Sequence, residues 1–151
     1  MNSRMLAKAT LSRKQKPSVQ QDNNGSVDLL FEYCKDINQW PEKWEIDTRD
    51  IKIGQNINEQ FKLFLIHQIK QGKSKKTIKA YAGYLWALGG ELIRQINDYE
   101  NERKLSARNL MLKYINETGG PYWRHAVSDE DHARYDSVCK RIFKHMNGNF
   151  D

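Results

Sequence analysis

Hydrophobic residues recur along this chain at steps of three and four, the spacing of one face of an α-helix. Val27, Leu30, Phe31, Cys34 and Ile37 form the first stripe, with Ser26 before it as a cap and Pro41 closing it. The second runs from Asn58, read as a cap, through Phe61, Phe64, Leu65 and Ile69 to a stop at Gly72. A third starts at Ser74 and carries Ile78, Tyr81, Ala82, Leu85, Leu92 and Ile96, with one gap across Gly89-Gly90. That pair costs roughly 1 kcal/mol per residue inside a helix, so it predicts a kink or the close packing of a neighbour. Ser106 caps a fourth stripe, Leu110, Met111, Tyr114 and Ile115, which stops at Gly119-Gly120-Pro121. Ser128 followed by Asp129, Glu130 and Asp131 opens a fifth, with acids at the positive dipole end and Tyr135, Val138, Cys139, Ile142 and Met146 on one face.

Between these stripes, Trp40-Pro41-Glu42-Lys43-Trp44 reads as a turn with aromatic anchors, and Ile51, Ile53 and Gly54 as an extended connection. No segment alternates with period two, so no substantial sheet is expected. The fold class is therefore all-α, a compact bundle of four to five short helices. Residues 1–25 are expected to be a disordered tail, 26–57 a helix and connector, and 58–148 the helical domain proper.

A length of 151 residues suits one domain, and a mean hydropathy of −0.85 limits its core. No apolar run approaches the ~20 residues of a membrane span. Cys34 and Cys139 make no disulfide framework and read as buried thiols of a reducing compartment. With no secretory h-region after Met1, the expected location is cytoplasmic. The net charge is +6, but residues 1–20 hold Arg4, Lys8, Arg13, Lys14 and Lys16 and no acid. The rest of the chain is nearly neutral. The tail has three competing readings: a structureless terminus, a basic arm on phosphates, and a mitochondrial presequence.

Signals for catalysis are weak. Gly72-Lys73-Ser74 resembles the end of a phosphate-binding loop, but His67 stands where that motif needs glycine, and no strand precedes it. His125, His132, Cys139 and His145 match no zinc spacing. The acids at 129, 130, 131 and 136 suit a helix start better than acid/base chemistry. No enzyme activity, metal or cofactor is expected.

The informative segment is Lys73-Ser74-Lys75-Lys76-Thr77-Ile78-Lys79, with four lysines in seven residues and no acid. It coincides with a helix start, where backbone N–H groups and the dipole already favour anions, and lysines add attraction to phosphates. At ~100° per residue, Lys76, Lys79, Gly83, Trp86, Gly90 and Arg94 share one sector, away from the Ile78/Tyr81/Leu85 stripe and with Glu91 at its margin. Glycines there admit either a duplex backbone or a neighbouring helix. A solvated lysine face is the competing reading.

The run Gly72-Lys73-Ser74-Lys75-Lys76-Thr77-Ile78-Lys79-Ala80-Tyr81-Ala82-Gly83-Tyr84-Leu85 resembles the G-x-S-x-x-T-I-x-x-Y-x-x-x-L signature of the SAM-like core-binding domain of tyrosine recombinases and phage integrases. Phe61, Phe64 and Leu65 match that family's F-x-x-F-L opening, and the resemblance covers roughly residues 58–147. In that family the domain is one half of a clamp around DNA. The resemblance implies that Lys73, Lys75, Lys76, Thr77 and Lys79 lie at the DNA, with the Thr77 hydroxyl on a phosphate and Tyr81 and Leu85 in the core. The family's catalytic domain, with its arginine, His-x-x-Arg and tyrosine nucleophile, does not follow the last helix, so the expected function is non-catalytic DNA binding. The candidate DNA-binding set is Lys73, Ser74, Lys75, Lys76, Thr77, Lys79, Gly83, Arg94, Lys140, Arg141 and Lys144. The expected partner is double-stranded DNA, with a recombinase or self-association completing the clamp. The alternative is a protein-interaction module anchored by Trp40, Trp44, Tyr122 and Trp123.

Overall fold

A computed structural model of the chain describes residues 19–148; the basic segment 1–18 lies outside the described residues. Among the described residues there are six α-helices and no strand: α1 Val19–Tyr33, α2 Trp40–Trp44, α3 Asp50–Lys70, α4 Lys75–Asp98, α5 Ala107–Tyr114 and α6 Asp129–Met146. Short 3-10 helices at Ile37–Gln39 and Glu100–Lys104 precede α2 and α5. A lone bridge between Asn116 and Gly119 is the nearest approach to a sheet. No helix in the described residues is long and apolar enough to cross a membrane.

The centre is the pair α3 and α4. Their apolar stripes supply Ile57, Phe61, Phe64 and Leu65 from one and Ile78, Leu85, Leu88, Leu92, Ile93 and Ile96 from the other, all fully buried. The pair is antiparallel, since Phe64 meets Tyr81 at 6.0 Å while Gly54 and Gly89 both abut Trp44. Gly72 turns the chain between them. It has φ +89°, its N–H donates to Ile69, and the Lys73 N–H donates to Gln68. This paired closure of a helix end requires a left-handed residue, which glycine supplies without strain. α1 and α2 pack on α3, α6 packs on α4, and α5 packs against α3.

Three expected caps stand as read. Ser74, Ser106 and Ser128 accept from the N–H three residues on, at 3.2, 3.0 and 3.0 Å. Four expectations fail. First, Ser26 is no cap; α1 begins at Val19, and Ser26 is buried inside it. Second, Trp40-Pro41-Glu42-Lys43-Trp44 is a short helix rather than a turn. Pro41 sits in its first turn, where a missing N–H removes no helical bond. Third, Ile51, Ile53 and Gly54 are helical, so α3 starts eight residues before Asn58 and the expected boundary at 57/58 falls inside it. Fourth, Asn58 is buried in mid-helix, and its amide donates to the Ile37 carbonyl at 2.8 Å, fastening the 3-10 turn to α3.

The connection from α5 to α6 is pinned to α6. Asp136 accepts the Gly120 N–H at 3.0 Å, His132 Nε2 accepts the Trp123 N–H at 3.1 Å, and Tyr135 donates to the Pro121 carbonyl at 2.9 Å. Since His132 Nε2 is an acceptor, its Nδ1 carries the proton and donates to Asp136 at 3.2 Å.

Candidate nucleic-acid interface

The lysine segment folds as a capped helix start because Ser74 closes it from both sides. Ser74 Oγ accepts from the Thr77 N–H and donates to Thr77 Oγ1 at 3.1 Å. Thr77 Oγ1 is thus an acceptor within the cap, and its proton remains to donate. No acid occupies the first turn of α4. Lys75, Lys76 and Lys79 are exposed and Lys73 is half-buried. Lys75 Nζ lies 5.8 Å from the centre of the Tyr33 ring, a cation–π approach that draws it toward the end of α1.

α6 brings one further cation, Arg141, against α4. The Arg141 guanidinium lies 5.6 Å from the centre of the Tyr81 ring, whose neighbour on α3 is Phe64. Tyr81 is therefore a half-buried bridge between core and surface rather than a core residue. Lys140 and Lys144 are exposed within one turn of Arg141. Every ion pair among the described residues involves other cations, so no described carboxylate lies within 4.0 Å of Lys73, Lys75, Lys76, Lys79, Lys140, Arg141 or Lys144.

The sector expected to run on to Arg94 does not do so. It is open to solvent as far as Gly83, where an added Cβ meets nothing within 4 Å. Beyond that point α2 packs over it, leaving Trp86 37% exposed at the edge. Trp86 packs against Trp40 and Trp44 with ring centres 5.8 and 5.9 Å away, and its carbonyl accepts Trp44 Nε1 at 3.0 Å. Gly90 faces Trp44, and a Cβ at Gly89 would fall inside the Trp44 indole. The glycine pair therefore admits a tryptophan, not a duplex, and α4 runs through it unbroken. Arg94 stands roughly 28 Å from Lys75 along the axis and is paired with Glu91 at 3.8 Å. Glu91 is buried and also holds Arg124 at 3.5 Å, so Arg94 serves to neutralise a buried carboxylate.

The aromatic anchors of the alternative reading are also rearranged. Trp40 and Trp44 are buried, at 4% and 5% exposure, and Trp123 is half-buried against Tyr84 and Tyr135. Tyr122, at 75%, is the exposed member of the four. The residues weighed for a metal are not gathered: His132 is bonded to Asp136 and Trp123, while His145 packs on Phe64 and His67. No group of three or more metal-ligating side chains occurs among the described residues.

The structure adds a feature that the helical pattern did not predict. A cleft of about 270 Å³ opens beside the lysines, between the end of α1 and the first half of α4. Tyr33, Cys34, Asp36 and Trp40 form one wall, and Lys79, Ala82, Gly83 and Trp86 the other. Burial and the nearby Asp36 push the Cys34 thiol up, against the opposing pull of Lys79, so it lines the cleft as a neutral group. Gly83 and Trp86 on the lysine face were its only local signal, since the opposite wall comes from more than forty residues away.

Comparison with family models, curated proteins and solved structures finds no match to this chain.

Proposed function

We propose that this helical domain binds the phosphate backbone of duplex DNA without acting on it chemically. In this reading the amino end of α4 and the adjoining face of α6 grip the phosphates, in the manner of the SAM-like core-binding half of a tyrosine recombinase. One observation carries it: the lysines at the start of α4 and Arg141 of α6, which lies against Tyr81, have no described carboxylate within 4.0 Å. Ser74 and Thr77 set the helix start, Lys73, Lys75, Lys76 and Lys79 supply charge, and Lys140, Arg141 and Lys144 extend it. Arg94 has no part. A half-clamp of this kind binds in the ~10⁻⁴–10⁻⁶ M range of nonspecific contacts, and a recombinase or a second copy of the chain would tighten it. The protein-interaction reading is weaker, because two of its four anchors are buried.

The test is a salt titration against random duplex. The Lys75/Lys76/Lys79→Ala triple variant is expected to lose at least about tenfold in affinity at low salt. Its plot of log K against log salt should flatten by roughly 3 units, about 0.9 for each phosphate contact removed. Helicity should persist, since all three lysines are exposed and alanine is a good helix former. Absence of any salt-dependent binding by the wild-type chain overturns the reading.

A further inference from the structure

We propose that the cleft between α1 and α4 seats one unpaired nucleobase, so that this interface takes single-stranded nucleic acid in preference to duplex. The inference rests on the phosphate-binding reading above and deepens it. At about 270 Å³ the cleft lies just under the ~300 Å³ at which pockets for drug-sized ligands begin, a size for a single ring system. Tyr33 and Trp86, which keeps 37% of its surface open, give it aromatic sides, and buried Trp40, edge-on to Trp86 at 5.8 Å, closes its inner end. Gly83 leaves the α4 backbone bare along the floor, so a flat ring meets no side chain there. Stacking on aromatic faces tolerates any base, because each has a π-face.

The polar groups of the cleft fit the same occupant. Lys79 lines it and Lys75 rests against Tyr33 at its edge, so a base in the cleft has cations beside it for its flanking phosphates. Asp36 is exposed and belongs to no described ion pair, and it supplies an acceptor for the amino edge of cytosine, adenine or guanine. An uncharged aromatic ligand has no use for the lysines. A duplex can offer a base to a cleft in the protein surface only by unpairing and unstacking it, at a cost that a single strand largely escapes.

The experiment measures binding of the full chain to three labelled oligonucleotides at one salt concentration: a single strand, the matching duplex, and the same single strand built with abasic sites. The single strand is expected to bind about tenfold more tightly than the duplex, within the range that one stacked base contributes. The abasic strand keeps the phosphates and should lose the advantage. Gly83→Leu fills the cleft from an exposed helical position with open space around it. It should abolish the advantage, so that the variant binds the single strand and the duplex equally. A strand carrying 5-iodouracil should crosslink to the peptide containing Trp86 or to that containing Tyr33 and Trp40. Equal affinity for all three nucleic acids, or a preference that survives Gly83→Leu, overturns the base seat while the phosphate reading stands. Failure of all three to bind overturns both.

Discussion

Asp50→Ala is expected to lower the stability of the protein by about 3–5 kcal/mol, the range for removing one partner of a buried ion pair. Asp50 is fully buried at the start of α3. Its Oδ2 accepts the Ile46 and Asp47 N–H groups at 2.9 and 2.8 Å and the Asn97 amide at 3.0 Å, and its Oδ1 meets Arg103 at 2.8 Å. One carboxylate thus ties the loop after α2 to the end of α4 and the 3-10 turn beyond it. Truncation leaves a largely buried guanidinium and two backbone donors without their acceptor. Urea unfolding followed by circular dichroism measures the loss, and a change below 1 kcal/mol contradicts the assignment.

The same site sets a pH dependence. Burial raises the Asp50 carboxyl, but the hydrogen bonds from Asp47 and Ile46, then Asn97 and Arg103, outweigh it and hold the group below its ordinary range. Glu100 is lowered by Arg103 and Arg49. Burial raises Glu102, but hydrogen bonds from Lys113 and Tyr114 prevail and leave it lowered. A carboxylate held low in the folded state stabilises it above the unfolded value of about 4, and that contribution is lost as pH falls through the folded value. The wild-type chain should therefore lose stability below roughly pH 5, and Asp50→Ala should lose it less steeply. Parallel pH profiles for the two proteins would refute this.

Gly89→Ala is expected to destabilise by about 2–3 kcal/mol, although alanine is the better helix former by roughly 1 kcal/mol. The new methyl would occupy the space of the Trp44 indole. That ring cannot swing aside. Phe61 meets it edge-on at 5.9 Å, Trp40 and Trp86 flank it at the same distance, and its Nε1 is bonded to the Trp86 carbonyl. The conflict must move α2 or α4. Six residues earlier the sign reverses: Gly83→Ala enters open space and should gain up to about 1 kcal/mol. Thermal unfolding of the two variants should shift in opposite directions, and equal shifts would exclude Trp44 as the cause.

What was legible in the sequence was local. The caps at Ser74, Ser106 and Ser128 act through bonds to the third residue on, and the stop at Gly72 through bonds within one turn. The early start of α3 was hidden because Gly54 resembles a breaker, whereas its reason for being glycine is contact with Pro41 and Trp44. Asn58 resembles a cap, but its amide serves Ile37, 21 residues away. Trp40 and Trp44 seemed open because they flank a proline in a polar stretch. Their burial depends on Gly89 and Trp86, more than forty residues on. The lysine cluster was visible as composition. The neutralisation of Arg94 was half visible, since Glu91 precedes it at helical spacing, while the role of Arg124 was not.

The two cysteines bear on how the fold opens. Cys34 sits beneath the end of α1, and Cys139 lies on α6 under Gly120, where burial pushes its thiol up to about 12. A protonated thiol reacts slowly with disulfide reagents, and a covered one reacts only when its surroundings separate. Cys139 is thus a natural clock for the parting of α6 from the loop before it, while Cys34, on the wall of the cleft, is labelled at a rate set by access to that cleft.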